Sequence, residues 1–148
     1  MTPVKSLPPH FEQLLAEHGE LQRLLQRTHK ALSAKQPSAE RVAGLLTELE
    51  DRLECHFAHE EMEGYFAEII AAAPWLATQV DALRKQHAEF LQALHRLGRH
   101  LDSPGRRPSW PEEMGVEFSA FLTRFVEHER SENRLLHETY NRDVGAAD

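Results

Sequence analysis

An all-α fold, an up-down-up-down antiparallel four-helix bundle, is what this sequence predicts, and three observations carry the prediction. Apolar residues recur in alternating steps of three and four along four long stretches, the stripe that a helix buries in a bundle. No stretch shows the period-two alternation or the β-branched runs of strands. Proline, glycine and serine are concentrated between the four stretches, so the connections are short, and short connections between long helices favour antiparallel neighbours. A length of 148 residues suits one domain, 1–148, with a single filled core.

The first helix begins near Pro8 and Pro9 and stops before Gln36-Pro37-Ser38, where proline cannot continue the hydrogen-bond ladder. Its seam is Phe11, Leu14, His18, Leu21, Leu25, Thr28 and Leu32. Ser38 is placed to cap the second helix, which runs from about Ala39 to about Ala72 and is ended by Pro74. Val42, Leu46, Leu49, Leu53, His56, Glu60 and Ala67 form its seam, interrupted at Glu63. The third helix occupies roughly Leu76 to Leu101, with a seam of Leu76, Val80, Leu83, His87, Phe90, Leu94, Leu97 and Leu101. Asp102-Ser103-Pro104-Gly105 closes it. After a linker, Ser109-Trp110-Pro111-Glu112 has capping-box spacing and starts the fourth helix, which is expected to reach about Tyr140 and leave Asn141 to Asp148 as a frayed tail. The seam of that helix is Met114, Phe118, Phe121, Phe125, His128, Glu132 and Leu135.

Polar residues enter these oily seams in a repeated order. His56/Glu60 and His128/Glu132 are two copies of His-x-x-x-Glu, and His18 and His87 each stand alone on the other two helices. Lettered as heptads, His18 and His87 fall at a, His56 and His128 at d, and both glutamates at the following a. The chain therefore reads as one helical hairpin used twice. His18 and His56 are equally distant from the turn at Pro37, and His87 and His128 are within about one helical turn of being level across Arg106. All four histidines are thus expected in one layer, with Glu60 and Glu132 reaching it from one turn further along.

Burying charged carboxylates without partners is costly, and a metal ion satisfies imidazole and carboxylate together. Four imidazoles and two carboxylates, with no thiolate, exceed a tetrahedral zinc site but suit two ions that share bridging glutamates. The expected division is His18 and His56 on one ion, His87 and His128 on the other, with Glu60 and Glu132 bridging. Iron is the expected metal, with manganese or a mixed pair as the alternative. An additional oxo or hydroxo bridge would leave each ion one open position. The Glu-x-x-His spacing of ferritin-like bundles and the His-Glu-x-x-His of zinc proteases are both absent.

The remaining titratable residues are assigned lesser roles. His59 shares i, i+4 spacing with Glu63 but lies at heptad position g, so it is read as a flanking residue. Glu63 is read as an outer acceptor for a histidine N–H, and Glu61 as pointing elsewhere unless a slight rotation of the helix brings it close. His10, His29, His95, His100 and His137 lie off the seams and are read as solvated. Cys55, the only cysteine, falls at position c, off the seam, and permits no internal disulfide. A net charge of -7 with no basic stripe argues against nucleic acid or an anionic membrane as partner. No signal-like or membrane-spanning run is evident, which makes a cytoplasmic location the expectation.

His18 in the first helix, His56-Phe57-Ala58-His59-Glu60-Glu61 in the second, His87 in the third and His128-x-x-x-Glu132 in the fourth together resemble the hemerythrin-like, HHE cation-binding family. The resemblance covers nearly the whole chain in order, helix placement and spacing. It implies a four-helix bundle around a non-haem di-iron centre that meets dioxygen, nitric oxide or peroxide. The oxygen-carrying members add a histidine one turn after the third-helix ligand and use His-x-x-x-x-Asp in the fourth helix; the matching positions here are Leu91 and Asn133. The set of four histidines and two glutamates is more similar to the branch linked to repair of iron–sulfur clusters under oxidative or nitrosative stress. Some members of that branch carry a further cysteine-bearing domain that these 148 residues do not include.

Three functions are compatible with this reading: a stress-linked di-iron protein that reacts with small oxidants or delivers iron, a non-catalytic module that senses or stores oxygen, nitric oxide or iron, and a structural bundle or a protein with an adventitious metal. Between catalysis and sensing the sequence does not choose.

Overall fold

The computed structural model describes residues 9–62 and 64–146, with side chains over 12–62 and 64–139. The helices are α1 (Pro9–Leu32), α2 (Ala39–Met62), α3 (Tyr65–Ala72), α4 (Ala77–Asp102) and α5 (Trp110–Ala146), with a single 3₁₀ turn, Pro74–Leu76, between α3 and α4. No strand occurs among the described residues. The four long helices pack as a ring in which α1 lies against α2 and α5, and α4 against the same two. None of the described helices is long and apolar enough to cross a membrane. The side chains of His10 and Phe11, residue Glu63 and the side chains beyond Thr139 lie outside what is described.

The seams are buried as their spacing requires. Val42, Leu49, Leu53, Val80, Met114, Phe118 and Phe121 are wholly or almost wholly enclosed, each such burial being worth about 1.5–3 kcal/mol. Thr28, the polar residue within the first seam, is also fully enclosed and donates its hydroxyl to the Leu24 carbonyl at 2.8 Å, which removes the cost of burying it. Ser38 caps α2 through its Oγ, which accepts from the Arg41 N–H at 3.2 Å.

Three boundaries differ from the sequence expectation. The second helix does not run through to Ala72; it stops at Met62 and α3 starts after Gly64, whose φ of 108° lies where L side chains are strained and glycine is not. The break shifts the buried face, so Tyr65, Phe66 and Ile69 are enclosed, and Ala67, expected in the seam, is exposed. At α5, the Ser109 hydroxyl donates to the Glu113 carboxylate at 3.0 Å rather than pairing with Glu112. That helix continues to Ala146 instead of fraying after Tyr140.

Two apolar clusters fill the interior. One contains Leu21 to Leu32 of α1 and the seams of α2, α4 and α5 up to Phe57, Phe90 and Phe125. The second gathers Leu14, Tyr65, Phe66, Ile69, Leu76, Val80, Leu83, Leu135 and Leu136. Along α1, α4 and α5 the polar residues His18, His87, His128 and Glu132 fall between the two clusters; on α2, His56 and Glu60 lie near its C-terminal end, and the short α3 closes the second cluster against α2, α4 and α5.

Candidate metal centre

Each long helix delivers its seam histidine to one layer. The ring centroids of His18 and His56 are 4.6 Å apart, and those of His87 and His128 are 5.0 Å apart. The i, i+4 spacing on α2 and α5 then brings a carboxylate beneath each pair. His128 Nε2 lies 2.6 Å from Glu132 Oε1, and His56 Nε2 lies 3.4 Å from Glu60 Oε1. Cross-helix approaches complete the set: His18 Nε2 is 3.3 Å from Glu132 Oε2, and His87 Nε2 is 3.2 Å from Glu60 Oε1 and 3.5 Å from Glu132 Oε1.

All six residues singled out from the sequence therefore meet, and they do so as two overlapping groups of four. His18, His56, Glu60 and Glu132 offer donor atoms within 4.8 Å of one another, and so do Glu60, His87, His128 and Glu132. Both glutamates belong to both groups. Every member is buried, Glu60 completely. The Nε2 atoms of His18, His87 and His128 and all four oxygens of Glu60 and Glu132 are enclosed yet lack a partner in hydrogen-bond geometry. These close contacts are lone pairs facing a common space. Buried donor atoms left unpaired in this way are costly for a protein core and suited to a cation. The donor set fits the two-ion site that the sequence anticipates.

Charges within the layer are mutually dependent. Burial, followed by the charge of Glu132, holds the Glu60 carboxyl well above the usual carboxylate range. Burial also works to raise Glu132, but its contacts with His128, His18 and His87 outweigh that effect and hold it well below the usual range. His56 is lowered to about 4 by burial and by the neighbouring His18. Burial likewise disfavours the charged form of His18, yet Glu132, Glu129 and Glu17 together raise it. Tyr65, enclosed beside the layer, is pushed up by burial and by the two carboxylates.

Outside this layer the imidazoles are held by residues that periodicity did not identify. His56 Nδ1 donates to Glu17 Oε2 at 2.6 Å, and His128 Nδ1 donates to Gln86 Oε1 at 2.6 Å. With Nδ1 carrying the proton, Nε2 presents its lone pair to the interior. Glu17 precedes His18 and Gln86 precedes His87, so the two holders occupy matching places in the two hairpins, a symmetry readable in the sequence. Glu61, expected to point away, instead brings Oε2 to 3.3 Å from His87 Nδ1, because α2 has α4 on its other flank. His87 itself is stacked on Phe57 at 3.8 Å and faces Phe66 at 5.6 Å, which fixes the plane of its ring.

His59 stands on the flank as expected, donating from Nδ1 to Glu17 Oε1 at 2.7 Å. Cys55 is exposed, its sulfur 3.8 Å from His59 Nε2. His29, His95 and His137 are exposed, and His100 is half-buried with Nε2 3.3 Å from Glu113. Leu91 packs on the first apolar cluster, and Asn133 lies at the surface among Glu127, Arg130, Ser131 and Arg134, so neither adds a donor to the six.

Compared with known protein families, the chain matches the hemerythrin HHE cation binding domain over residues 10–140. Comparison with curated proteins and with solved structures gives no match.

Proposed function

Since the chain belongs to the hemerythrin HHE cation-binding domain family, we propose that it is a dinuclear iron protein that reacts with dioxygen, nitric oxide or peroxide, or delivers iron, under oxidative or nitrosative stress. The observation that carries this reading is the pair of four-donor groups with Glu60 and Glu132 in common. His18 and His56 would hold one ion and His87 and His128 the other, with Glu60 and Glu132 available to both. The four helices run alternately up and down so that both hairpins present their histidines from one side. Bound iron supplies one-electron redox change and exchangeable positions for a small ligand.

The chain's own residues define what can reach that layer. Phe90 and Phe125 adjoin the His128 ring and Phe66 adjoins the His87 ring, so the apolar surroundings favour small apolar gases over large polar substrates. Near His56 a surface cavity of about 120 Å³ is lined by Glu17, Glu20, Leu21, Arg52, Cys55 and His56. Its size suits a diatomic gas or peroxide. Glu17 and Gln86 keep two imidazoles in one tautomer and one orientation, so the donor atoms do not rotate away when a ligand enters. Exposed Cys55, the only cysteine, is compatible with a reducing, cytoplasmic setting.

Leu91 and Asn133 occupy the positions where the oxygen-carrying pattern places a histidine and an aspartate, which supports reactivity over reversible carriage. Rapid mixing of the diferrous protein with dioxygen and with nitric oxide tests this. Irreversible oxidation, or turnover of nitric oxide, is the expected result. Repeated release of intact oxygen under vacuum would instead establish a carrier or sensor.

A further inference from the structure

The imidazoles of the two hairpins are supported unequally, although the hairpins otherwise repeat one pattern. His56 Nδ1 donates to a carboxylate, Glu17, whereas at the corresponding place His128 Nδ1 donates to a neutral amide, Gln86, over the same 2.6 Å. The other two histidines lessen this difference without cancelling it. His87 Nδ1 donates to Glu61 Oε2 at 3.3 Å, a longer contact than Glu17 makes and to a side chain 34% exposed and screened by water, while Glu129 Oε2, 4.0 Å from His18 Nδ1, is beyond hydrogen-bond reach. Glu17, at 20% side-chain exposure, is further fixed by its second oxygen, which accepts from His59 Nδ1 at 2.7 Å. A carboxylate that accepts the far N–H of an imidazole raises the ring's donor strength and adds negative charge close to the cation; an amide supplies orientation without the charge.

We propose, building on the dinuclear reading above, that the two metal positions are unequal and fill in order, the position between His18 and His56 first, and that Glu17 is the positioning residue responsible. The single-letter difference between Glu17 and Gln86 is then a specificity device: it separates one tight ion from one more easily exchanged ion, as a protein that gives up iron or opens one position to a ligand requires. Removing an outer hydrogen-bond partner of this kind typically lowers metal affinity by about 10–100-fold, and the first binding step is where that loss should fall.

The test is an anaerobic titration of the metal-free protein with cobalt(II) as probe ion, followed through its visible bands. Wild type is expected to bind in two resolved steps. Replacing His128 with alanine should preserve the tight step, and replacing His56 with alanine should remove it. Glu17→Gln should weaken the first step by about 10–100-fold and merge the two. The double variant E17Q/Q86E should move the tight step to the other hairpin, so that it becomes sensitive to His128→Ala instead, an exchange that loss of folding cannot mimic. Two ions bound with equal constants, or a tight step that ignores both exchanges, would overturn this inference while leaving the dinuclear reading intact. Failure of wild type to bind any ion would overturn both.

Discussion

His128 and Glu132, one turn apart on α5, bring an imidazole nitrogen and a carboxylate oxygen to 2.6 Å at full burial, and the same carboxylate faces His18 and His87 from two other helices. Glu132 is thereby held ionised, whereas Glu60, opposite it and facing only two of the histidines, is driven toward its protonated form. Two carboxylates in one closed layer cannot both remain charged without a cation between them. Metal binding and stability should therefore be linked in this chain.

Metal-free protein should melt below metal-loaded protein, because the seven enclosed donor atoms of the three histidines and two glutamates lose their only shared partner. The gap should be larger at pH 7 than at pH 5, since protons compete with the ions for the same donors. Calorimetry of verified metal-free and loaded samples checks this, and superimposable transitions would contradict it.

Glu60 gives the metal-free protein a pH dependence whose sign follows from its raised pKa. Its stabilising contribution is complete below the unfolded-state value and disappears as pH rises through the folded-state value. Glu60→Gln copies the protonated carboxyl at every pH. Metal-free E60Q should accordingly exceed metal-free wild type by roughly 1–3 kcal/mol at neutral pH, the scale of an unsatisfied buried polar group, and lose that advantage in acid. His56, lowered to about 4, acts in the opposite direction: its contribution is present above the ordinary histidine value and is lost as pH falls toward 4. Both proteins carry that slope, so the difference between their urea-melt midpoints reports Glu60 together with the Glu132 it is paired with.

The break between α2 and α3 depends on backbone conformation rather than space. A Cβ at Gly64 would meet nothing within 4 Å, but φ is 108°. Gly64→Ala should cost about 1–2 kcal/mol through strain alone. Gly44, within α2 and equally open around its Cβ, should respond in the opposite way, gaining about 0.5–1 kcal/mol as alanine. Thermal melts of the two variants provide the comparison. A Gly64→Ala protein as stable as wild type would contradict the assignment of strain.

The four seams and all six inward polar residues were legible in the sequence because a helix seam is a local, one-dimensional pattern, and a histidine among leucines interrupts it visibly. The break at Gly64 was not, since residues on either side keep helical spacing and a positive φ leaves no periodic trace. Ala67 was misplaced for that reason. The roles of Glu17, Gln86 and Glu61 depend on which helices adjoin and how each is rotated, so these residues were hidden by ordinary flanking positions. Phe57, beside His56, reads as a residue at the seam's edge, and only the approach of α4 makes it the platform for His87.

The number of ions that the six residues bind tests the dinuclear centre most directly. Elemental analysis of protein loaded anaerobically with iron(II), and of His128→Ala and His59→Ala prepared in parallel, measures it. Wild type and His59→Ala should each retain two ions per chain, since His59 Nδ1 is engaged by Glu17 and His59 is not among the six donors, and His128→Ala should retain fewer. One tightly held ion in fully loaded wild-type protein would contradict the dinuclear centre.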